Sequence, residues 1–305
     1  MDPLTRRLRR TARGVAGTLF RVSSYPIGGG EGMSARNLVP LPRDEDAALA
    51  AAIRGRVVMV TGASSGIGEA TARRAGAAGA TVLLVARSAE DLERIASEIG
   101  PDAHAMPCDL TDLEAIDALA ARAVAEQGGV DVLVNNAGRS IRRSVEHSIG
   151  RFHDFQRTMQ LNYFGSVRLI LGLLPSMRER GKAQIINVSS AGVQMRTPRF
   201  SGYIASKAAL EAFSDALQAE VSEDGLRMTT ISMPLVHTPM ISPTEQYDTI
   251  PSLSADEAGR LICEAMVGRP RRVAPPFAHL AGAIDKVSPE TMDAIRSRGY
   301  RMFED

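Results

Sequence analysis

Val57-Val58-Met59-Val60 runs directly into Thr61-Gly62-Ala63-Ser64-Ser65-Gly66-Ile67-Gly68, and a stretch of helical periodicity follows. A short apolar run bounded by turn residues reads as a buried strand. The glycines after it are spaced G-x-x-x-G-x-G. Gly62 permits a tight turn, Gly66 lets backbone N–H groups approach a pyrophosphate, and Gly68 lets the helix pack close to the strand, with the phosphates at the helix N-terminus. An ordinary strand-to-helix turn is the simpler reading of any single glycine loop. Position favours the dinucleotide reading here, because the loop lies in the first βα unit of a pattern that alternates along the chain. Gly62, Ser64, Ser65, Gly66, Ile67 and Gly68 are therefore candidate cofactor contacts.

Working outward, short runs rich in Val, Ile and Leu recur at Val57–Val60, Thr81–Val85, Ala103–Cys108, Val130–Asn135, Gln184–Ser189 and Met228–Ser232, with amphipathic stretches between them. Arg271–Val273 adds a last edge strand. Such alternation predicts an α/β fold: a Rossmann-type doubly wound parallel sheet with helices on both faces. A chain of 305 residues, 44% hydrophobic, can bury a full core. Length alone suggests two domains, but the unbroken pattern argues for one. The expected division is a basic N-terminal extension and linker over residues 1–52, a Rossmann domain over 53–275 and a C-terminal extension over 276–305.

The net charge of +1 gives no global reason to expect nucleic acid, and no basic patch interleaved with aromatics is present. Two cysteines are too few for a disulfide framework, so a reducing cytoplasm is the expected compartment. No apolar run approaches the roughly 20 residues that span a bilayer. Residues 1–24 hold six Arg against one Asp, with Leu4, Leu8, Thr11, Val15, Leu19 and Val22 near helical spacing. Two readings stand: a frayed terminus, or a basic amphipathic helix making peripheral contact with an anionic membrane. Residues 23–45, with three consecutive Gly and three Pro, read as a flexible connector.

Tyr203 and Lys207 stand four apart in SGYIASKAAL, thirteen residues after Ser190, in a chain with only three Lys. The segment from Ser201 to Glu220 reads as a helix, and a spacing of four puts both side chains on one face. A phenol is a poor acid or base at neutral pH, but an adjacent ammonium stabilises the tyrosinate and draws its pKa down. Arg would supply charge without an easily lost proton. Ligands of open α/β sheets sit at the carboxyl ends of the strands. That rule gathers Asn135-Asn136-Ala137-Gly138 after the fourth strand, Ser189-Ser190 after the fifth and the Tyr203 helix into one place.

With TGASSGIG, NNAG, Ser190 and Y-x-x-x-K, the chain resembles the short-chain dehydrogenase/reductase (SDR) family over roughly residues 53–275. The resemblance implies Tyr203 as proton donor, Lys207 as its electrostatic partner and ribose ligand, and Ser190 as the hydrogen bond to a substrate carbonyl. Ser189 is the neighbouring alternative, with the spacing to Tyr203 favouring Ser190. Asn162, in MQLNYFG, matches the residue that holds a water in the proton relay. Asn136, Ala137 and Gly138 fall on the cofactor, Asp109 and Leu110 on its adenine, and Val236 and Thr238 on the nicotinamide amide. Leu235 stands where the family usually has Gly. The second strand ends Val85-Ala86-Arg87. An acidic residue at Ala86 would bind a ribose 2′-hydroxyl, whereas Arg87 accommodates a 2′-phosphate, so NADP(H) is the expected cofactor. Ser65 occupies the place of the family's second basic marker. A homo-oligomer is also implied.

Beyond Met240, Ile241-Ser242-Pro243-Thr244 leads to Tyr247, Ile250, Pro251 and Leu253, an apolar, proline-stiffened stretch suited to a lid loop. Arg139, Arg142 and Arg143 follow the fourth strand and Arg196 and Arg199 the fifth. Arg forks grip phosphates, so a cationic rim beside an apolar tunnel fits an acyl chain on a phosphate-bearing carrier such as coenzyme A. Solvated Arg scattered over an Arg-rich chain is the other reading. A narrower resemblance, over NNAGRSIRRSVEHSIGRFHDFQRTMQLNYFG and MPLVHTPMISPT, is to bacterial long-chain fatty acyl-CoA reductases, which form aldehydes. It implies NADPH-dependent reduction of an acyl-CoA. The rivals are an NADPH-dependent 3-oxoacyl reductase using the same four residues and a non-catalytic NADP sensor or scaffold. His237 reads as a loop side chain, and the other His residues lack metal-ligand spacing, so no metal is expected.

Overall fold

A computed structural model of the protein describes residues 45–238, 240 and 252–302. The expected amphipathic helix over 1–24, the connector up to residue 44 and the lid residues Ile241–Pro251 lie outside the described residues.

Helix α1 (Glu45–Ile53) leads into strand β1 (Val57–Thr61), α2 (Gly66–Ala77), β2 (Thr81–Ala86), α3 (Ala89–Ile99), β3 (Ala103–Pro107), α4 (Leu113–Gln127) and β4 (Val132–Asn135). Then come α5 (Val145–Ser148), α6 (Phe152–Met159), a π-helical turn (Gln160–Gly165) and α7 (Ser166–Glu179). The second half carries β5 (Gln184–Ser190), α8 (Ala191–Met195), α9 (Ser201–Val221), β6 (Arg227–Met233), β7 (Val236–His237), β8 (Leu253–Ser254) and α10 (Ala255–Gly268). It closes with β9 (Arg272–Val273), α11 (Pro276–Val287) and α12 (Pro289–Met302).

Seven strands form one parallel sheet in the order β3-β2-β1-β4-β5-β6-β9. The order reverses between β1 and β4, the switch point at which ligand crevices open in such sheets. Side chains alternate across the sheet. Val58, Val60, Val82, Leu84, Val132, Val134, Ile186 and Ile231 enter one core with α1 and α10, while Met59, Leu83, Val85, Leu133, Ile185 and Met228 enter the other with α4, α7 and α9. Both faces are covered, so the strands read as continuous apolar runs rather than alternating ones. Leu49 and Ile53 of α1 are buried in the first core, so the sheet's packing begins ahead of residue 53.

The fourth strand starts two residues later than the expected Val130. Just ahead of it, Asp131 already bonds to both neighbours through its backbone, donating to the Val57 carbonyl at 2.9 Å and accepting the Gln184 N–H at 2.8 Å, while its buried carboxylate accepts the Val57 N–H at 2.8 Å and an Arg180 bond at 2.7 Å. Backbone and side chain of this one residue thus tie the starts of β1, β4 and β5 together. An unexpected pair of two-residue strands, β7 and β8, runs parallel with Val236 opposite Leu253. It sets the two ends of the expected lid side by side. Ser254 and Glu257 then form a reciprocal capping box that starts α10.

The glycine loop is held by close backbone approach. Gly62 adopts φ +67°, and a Cβ on it would stand 3.0 Å from the Ala137 Cα; a Cβ on Gly68 would overlap the Gly62 carbonyl oxygen. Gly68→Ala is therefore expected to cost about 1–3 kcal/mol through overpacking, read as a lower urea midpoint at unchanged m-value. Gly299→Ala, in α12 with open space around it, is the contrast: it should be neutral or stabilising by up to about 1 kcal/mol.

Candidate active site

The carboxyl ends of β1, β4 and β5 meet the first turns of α9, and polar side chains fasten them. The Thr61 hydroxyl accepts the N–H groups of Asn136 and Ala137, both at 3.0 Å, and donates to the Val134 carbonyl at 3.2 Å. The Asn136 amide donates to the Thr61 carbonyl at 3.0 Å and the Gly62 carbonyl at 3.4 Å. Asn136 therefore braces the NNAG loop against the glycine loop with its own side chain. Asn136 also stands against Gly68 in the first turn of α2, where backbone N–H groups lack helical partners and can meet a pyrophosphate.

Tyr203 is half-buried and shares a hydrogen bond with Ser190, whose oxygen also accepts the Gly192 N–H at 3.1 Å. Burial pushes the Tyr203 phenol above its ordinary pKa, and the Ser190 bond offsets this only in part. The sequence predicted a phenol drawn down by Lys207. The structure instead has the Lys207 ammonium turned to the Val188 carbonyl at 2.8 Å, so the ring's burial dominates. Lys207 is buried, and the cost of desolvating its charge brings its pKa down to about 8, with Glu211 opposing the shift.

Ser189 and Ser190 point to opposite sides of β5. Ser190 lies toward Tyr203, whereas Ser189 is buried and donates to Glu211. Glu211 is one turn beyond Lys207 on α9; burial pushes its carboxyl up, and Arg272, donating to it at 3.4 Å, opposes that shift. Sequence reasoning missed Glu211, although its spacing of four from Lys207 and eight from Tyr203 was a signal. It also missed a buried amide chain beneath the site, in which Asn135 donates to Asn187 at 2.9 Å and Asn187 to Ser214 at 2.7 Å, tying β4 to β5 and α9.

Asn162 is fully buried in the π-helical turn. Its amide donates to the Arg139 carbonyl and to the Ser206 hydroxyl, both at 2.9 Å, while its oxygen accepts the Arg139 N–H at 2.8 Å. Ser206 in turn donates to the Tyr203 carbonyl at 2.7 Å. π-turns of this kind recur at functional sites because the wider turn re-aims a side chain. Gly138 completes the cluster: a Cβ there would stand 3.3 Å from the Lys207 Nζ and 3.4 Å from the Asn162 Oδ1.

Asp109 and Leu110 follow β3, with Leu110 buried and Asp109 exposed. The Thr111 N–H and hydroxyl, both at 2.9 Å, hold the Asp109 carboxyl below its ordinary range, helped by the charges of Arg87 and Arg139. Arg87 is exposed at the end of β2. Val236 is buried in β7 and Thr238 half-buried beyond it. The lining suits a dinucleotide with a cation at its adenosine end. Among the described residues no group of three or more His, Cys, Asp or Glu side chains is placed to hold a metal, and no helix is long and apolar enough to cross a membrane.

At least three of the five cations expected to rim the mouth have partners within the protein, Arg143 lying 3.5 Å from Asp154. Arg196 pairs with the buried Asp285 of α11 at 2.7 Å, and Arg199 lies over the Tyr300 ring at 4.1 Å and donates to the Tyr300 carbonyl at 3.1 Å. The C-terminal helices thereby pin the loop between β5 and α9, with Arg296 adding a bond to the Met195 carbonyl at 2.9 Å.

Residues 56–248 match the short chain dehydrogenase family, and the chain belongs to it: an SDR oxidoreductase on a single Rossmann-like domain. An uncharacterised oxidoreductase of Mycobacterium tuberculosis is 54% identical over 83% of this chain and 76% of its own. A protein of Acinetobacter baylyi named fatty acyl-CoA reductase is 52% identical over 82% of this chain and 86% of its own. Among solved structures, a short-chain dehydrogenase of Streptomyces avermitilis superposes with TM-score 0.69 at 35% identity over 81% of this chain and 99% of its own. A 3-ketoacyl-(acyl-carrier-protein) reductase of Brucella melitensis, complexed with NADH, gives 0.66 at 29% over 72% and 96%. The L-sorbose reductase of Gluconobacter frateurii, complexed with NADPH and L-sorbose, gives 0.65 at 28% over 73% and 94%.

The Lys207 charge generates a pH prediction. Its pKa in the folded free protein is about 8, below the ordinary 10.5, so the unfolded chain binds more protons between those values and this group's contribution to stability rises with pH across that window. With three Lys in the chain, the Nζ resonance is resolvable by NMR. A midpoint near 8 is expected, falling further in Glu211→Gln because the opposing carboxylate charge is gone. An unchanged midpoint in that variant would show that Glu211 does not act on Lys207.

Proposed function

We propose that the protein reduces long-chain fatty acyl-CoA to fatty aldehyde and free CoA with NADPH. The observation that carries the chemistry is the Tyr203–Ser190 hydrogen bond beside a buried Lys207. The similarity to the A. baylyi protein named fatty acyl-CoA reductase supports the substrate.

The glycine loop, from Gly62 through Ser64, Ser65, Gly66, Ile67 and Gly68, together with Asn136, Ala137 and Gly138, receives the cofactor. Asp109 and Leu110 take its adenine, Val236 and Thr238 its amide, and Arg87 beside Ala86 its 2′-phosphate. When bound, the nicotinamide supplies a hydride to the thioester carbonyl carbon. Ser190 and Tyr203 donate hydrogen bonds to the carbonyl oxygen as charge gathers on it. Tyr203 then delivers its proton, and the raised pKa suits this direction because the phenol is protonated at working pH. Lys207 stabilises the tyrosinate left behind and contacts the ribose, and Asn162 holds the water through which the proton is replaced. The C–S bond of the resulting hemithioacetal breaks, its hydroxyl proton passes to the sulfur, and aldehyde and thiol leave.

In this reading the protein acts in the cytoplasm as a homo-oligomer, with a Rossmann domain that takes in α1 from Glu45 rather than starting at residue 53. The extension over 276–305 supports the substrate loop through Asp285 and Tyr300. The CoA phosphates fall in this reading to Arg139, Arg142 and Arg143, the cations that follow β4, with Arg143 also 3.5 Å from the Asp154 carboxylate.

Incubation with NADPH and palmitoyl-CoA should release thiol and aldehyde in step with NADPH oxidation. Long chains should outperform short ones, each buried CH₂ contributing at most about 0.8 kcal/mol. NADPH oxidation on 3-oxoacyl esters with no thiol from any saturated acyl-CoA would transfer the assignment to a 3-oxoacyl reductase. Tyr203→Phe should lose hydride transfer while retaining NADPH binding.

Arg87→Ala should weaken NADPH over NADH by about 1.5–3 kcal/mol, the size of one charge-assisted hydrogen bond. Equal loss for both cofactors, measured by fluorescence titration, would remove Arg87 from the 2′-phosphate.

A further inference from the structure

Three large apolar side chains stand out in water within eight residues: Val145 is 70% exposed, Ile149 81% and Phe152 71%. They flank the elbow between α5 and α6, a tight turn closed by bonds from the Ile149 N–H to the Glu146 carbonyl and from the Arg151 N–H to the Ser148 carbonyl. Such clustering is the mark of a contact surface rather than of scattered surface apolarity. Its surroundings are cationic. Residues 139–157 carry five Arg against Glu146 and Asp154. Asp154 alone draws Arg151 at 2.9 Å, Arg143 at 3.5 Å and Arg157 at 4.0 Å, so one carboxylate faces three guanidiniums and positive charge remains in excess.

We propose that this elbow is a docking surface for an anionic lipid bilayer, with Val145, Ile149 and Phe152 entering the headgroup boundary and the surrounding Arg meeting lipid phosphates. Apolar insertion beside basic residues is how peripheral proteins hold an anionic surface. A second copy of this chain fits the patch poorly, because a two-fold contact would bring the same Arg-rich surface against itself. The elbow is coupled to the catalytic helix. Phe152 stacks on Phe155 at 6.2 Å between ring centroids, and Phe155 lies 3.1 Å from where a Cβ on Gly202 would stand, next to Tyr203. The Arg143 N–H also donates to the Arg199 carbonyl at 2.7 Å, joining the elbow's approach to the substrate loop. Docking there places the Tyr203 site beside the bilayer surface.

The test needs no turnover, so its outcome is separate from the acyl-CoA reading. The full chain is floated with phosphatidylcholine vesicles and with phosphatidylcholine/phosphatidylglycerol (7:3) vesicles. Wild type should partition onto the anionic vesicles and lose that binding as salt rises. Ile149→Asp/Phe152→Asp should bind at least roughly tenfold more weakly, and Ile149→Ser, a milder exposed change, should fall in between. Circular dichroism melts confirm that both variants fold. Absence of wild-type binding, or equal binding by wild type and the double variant, would overturn the proposal. So would light scattering in which the double variant splits a wild-type assembly into smaller species, since the patch would then be an interface between copies.

Discussion

An ammonium group held out of water organises the catalytic end of this molecule. Lys207 sits buried between α9 and the end of β5, and a charge there is tolerated only where polar groups replace its lost hydration. The Val188 carbonyl supplies one direct bond, and Glu211 supplies an opposite charge from the next turn of the same helix. Glu211 is itself costly to bury, and so is tied to Ser189 and Arg272. The requirement propagates outward: β5, α9 and the edge strand β9 are locked together by the groups that make one cation bearable.

The opposite flank of the site rests on a hydroxyl. Thr61 collects two backbone N–H groups from the NNAG loop and the Asn136 amide returns two bonds, so the ends of β1 and β4 behave as one rigid lip at the switch point. Rigidity there leaves the backbone of the glycine loop free to face a ligand. Asn162 performs the same service across the crevice, because the extra residue of the π-turn aims its amide at the Arg139 backbone.

Most of the sheet was legible because strands covered on both faces are apolar throughout, and all seven were read to within about two residues. Arg272 and Val273 of β9 carried a weaker signal, two residues at an edge, and β7 and β8 carried none, since two-residue strands have no periodicity to detect. Ser190, Tyr203 and Lys207 were legible through spacing on a strand end and a helix face. Glu211 was not read, because a Glu on a long helix looks solvated until its neighbours are placed. Arg196 and Arg199 were taken as part of a ligand-facing rim for a related reason: their partners, Asp285 and Tyr300, are about ninety and one hundred positions away, where no local pattern reaches.

Those distant pins have a consequence for the growing chain. Arg196 and Arg199 both hold positive φ, backbone that side chains other than Gly rarely adopt and that persists only when its surroundings enforce it. The enforcing residues come from α11 and α12, made after every strand of the sheet. A nascent chain can therefore have every strand of its sheet in hand while the loop between β5 and α9 still lacks the contacts that hold its backbone. The shape of that loop arrives with Asp285 and Tyr300.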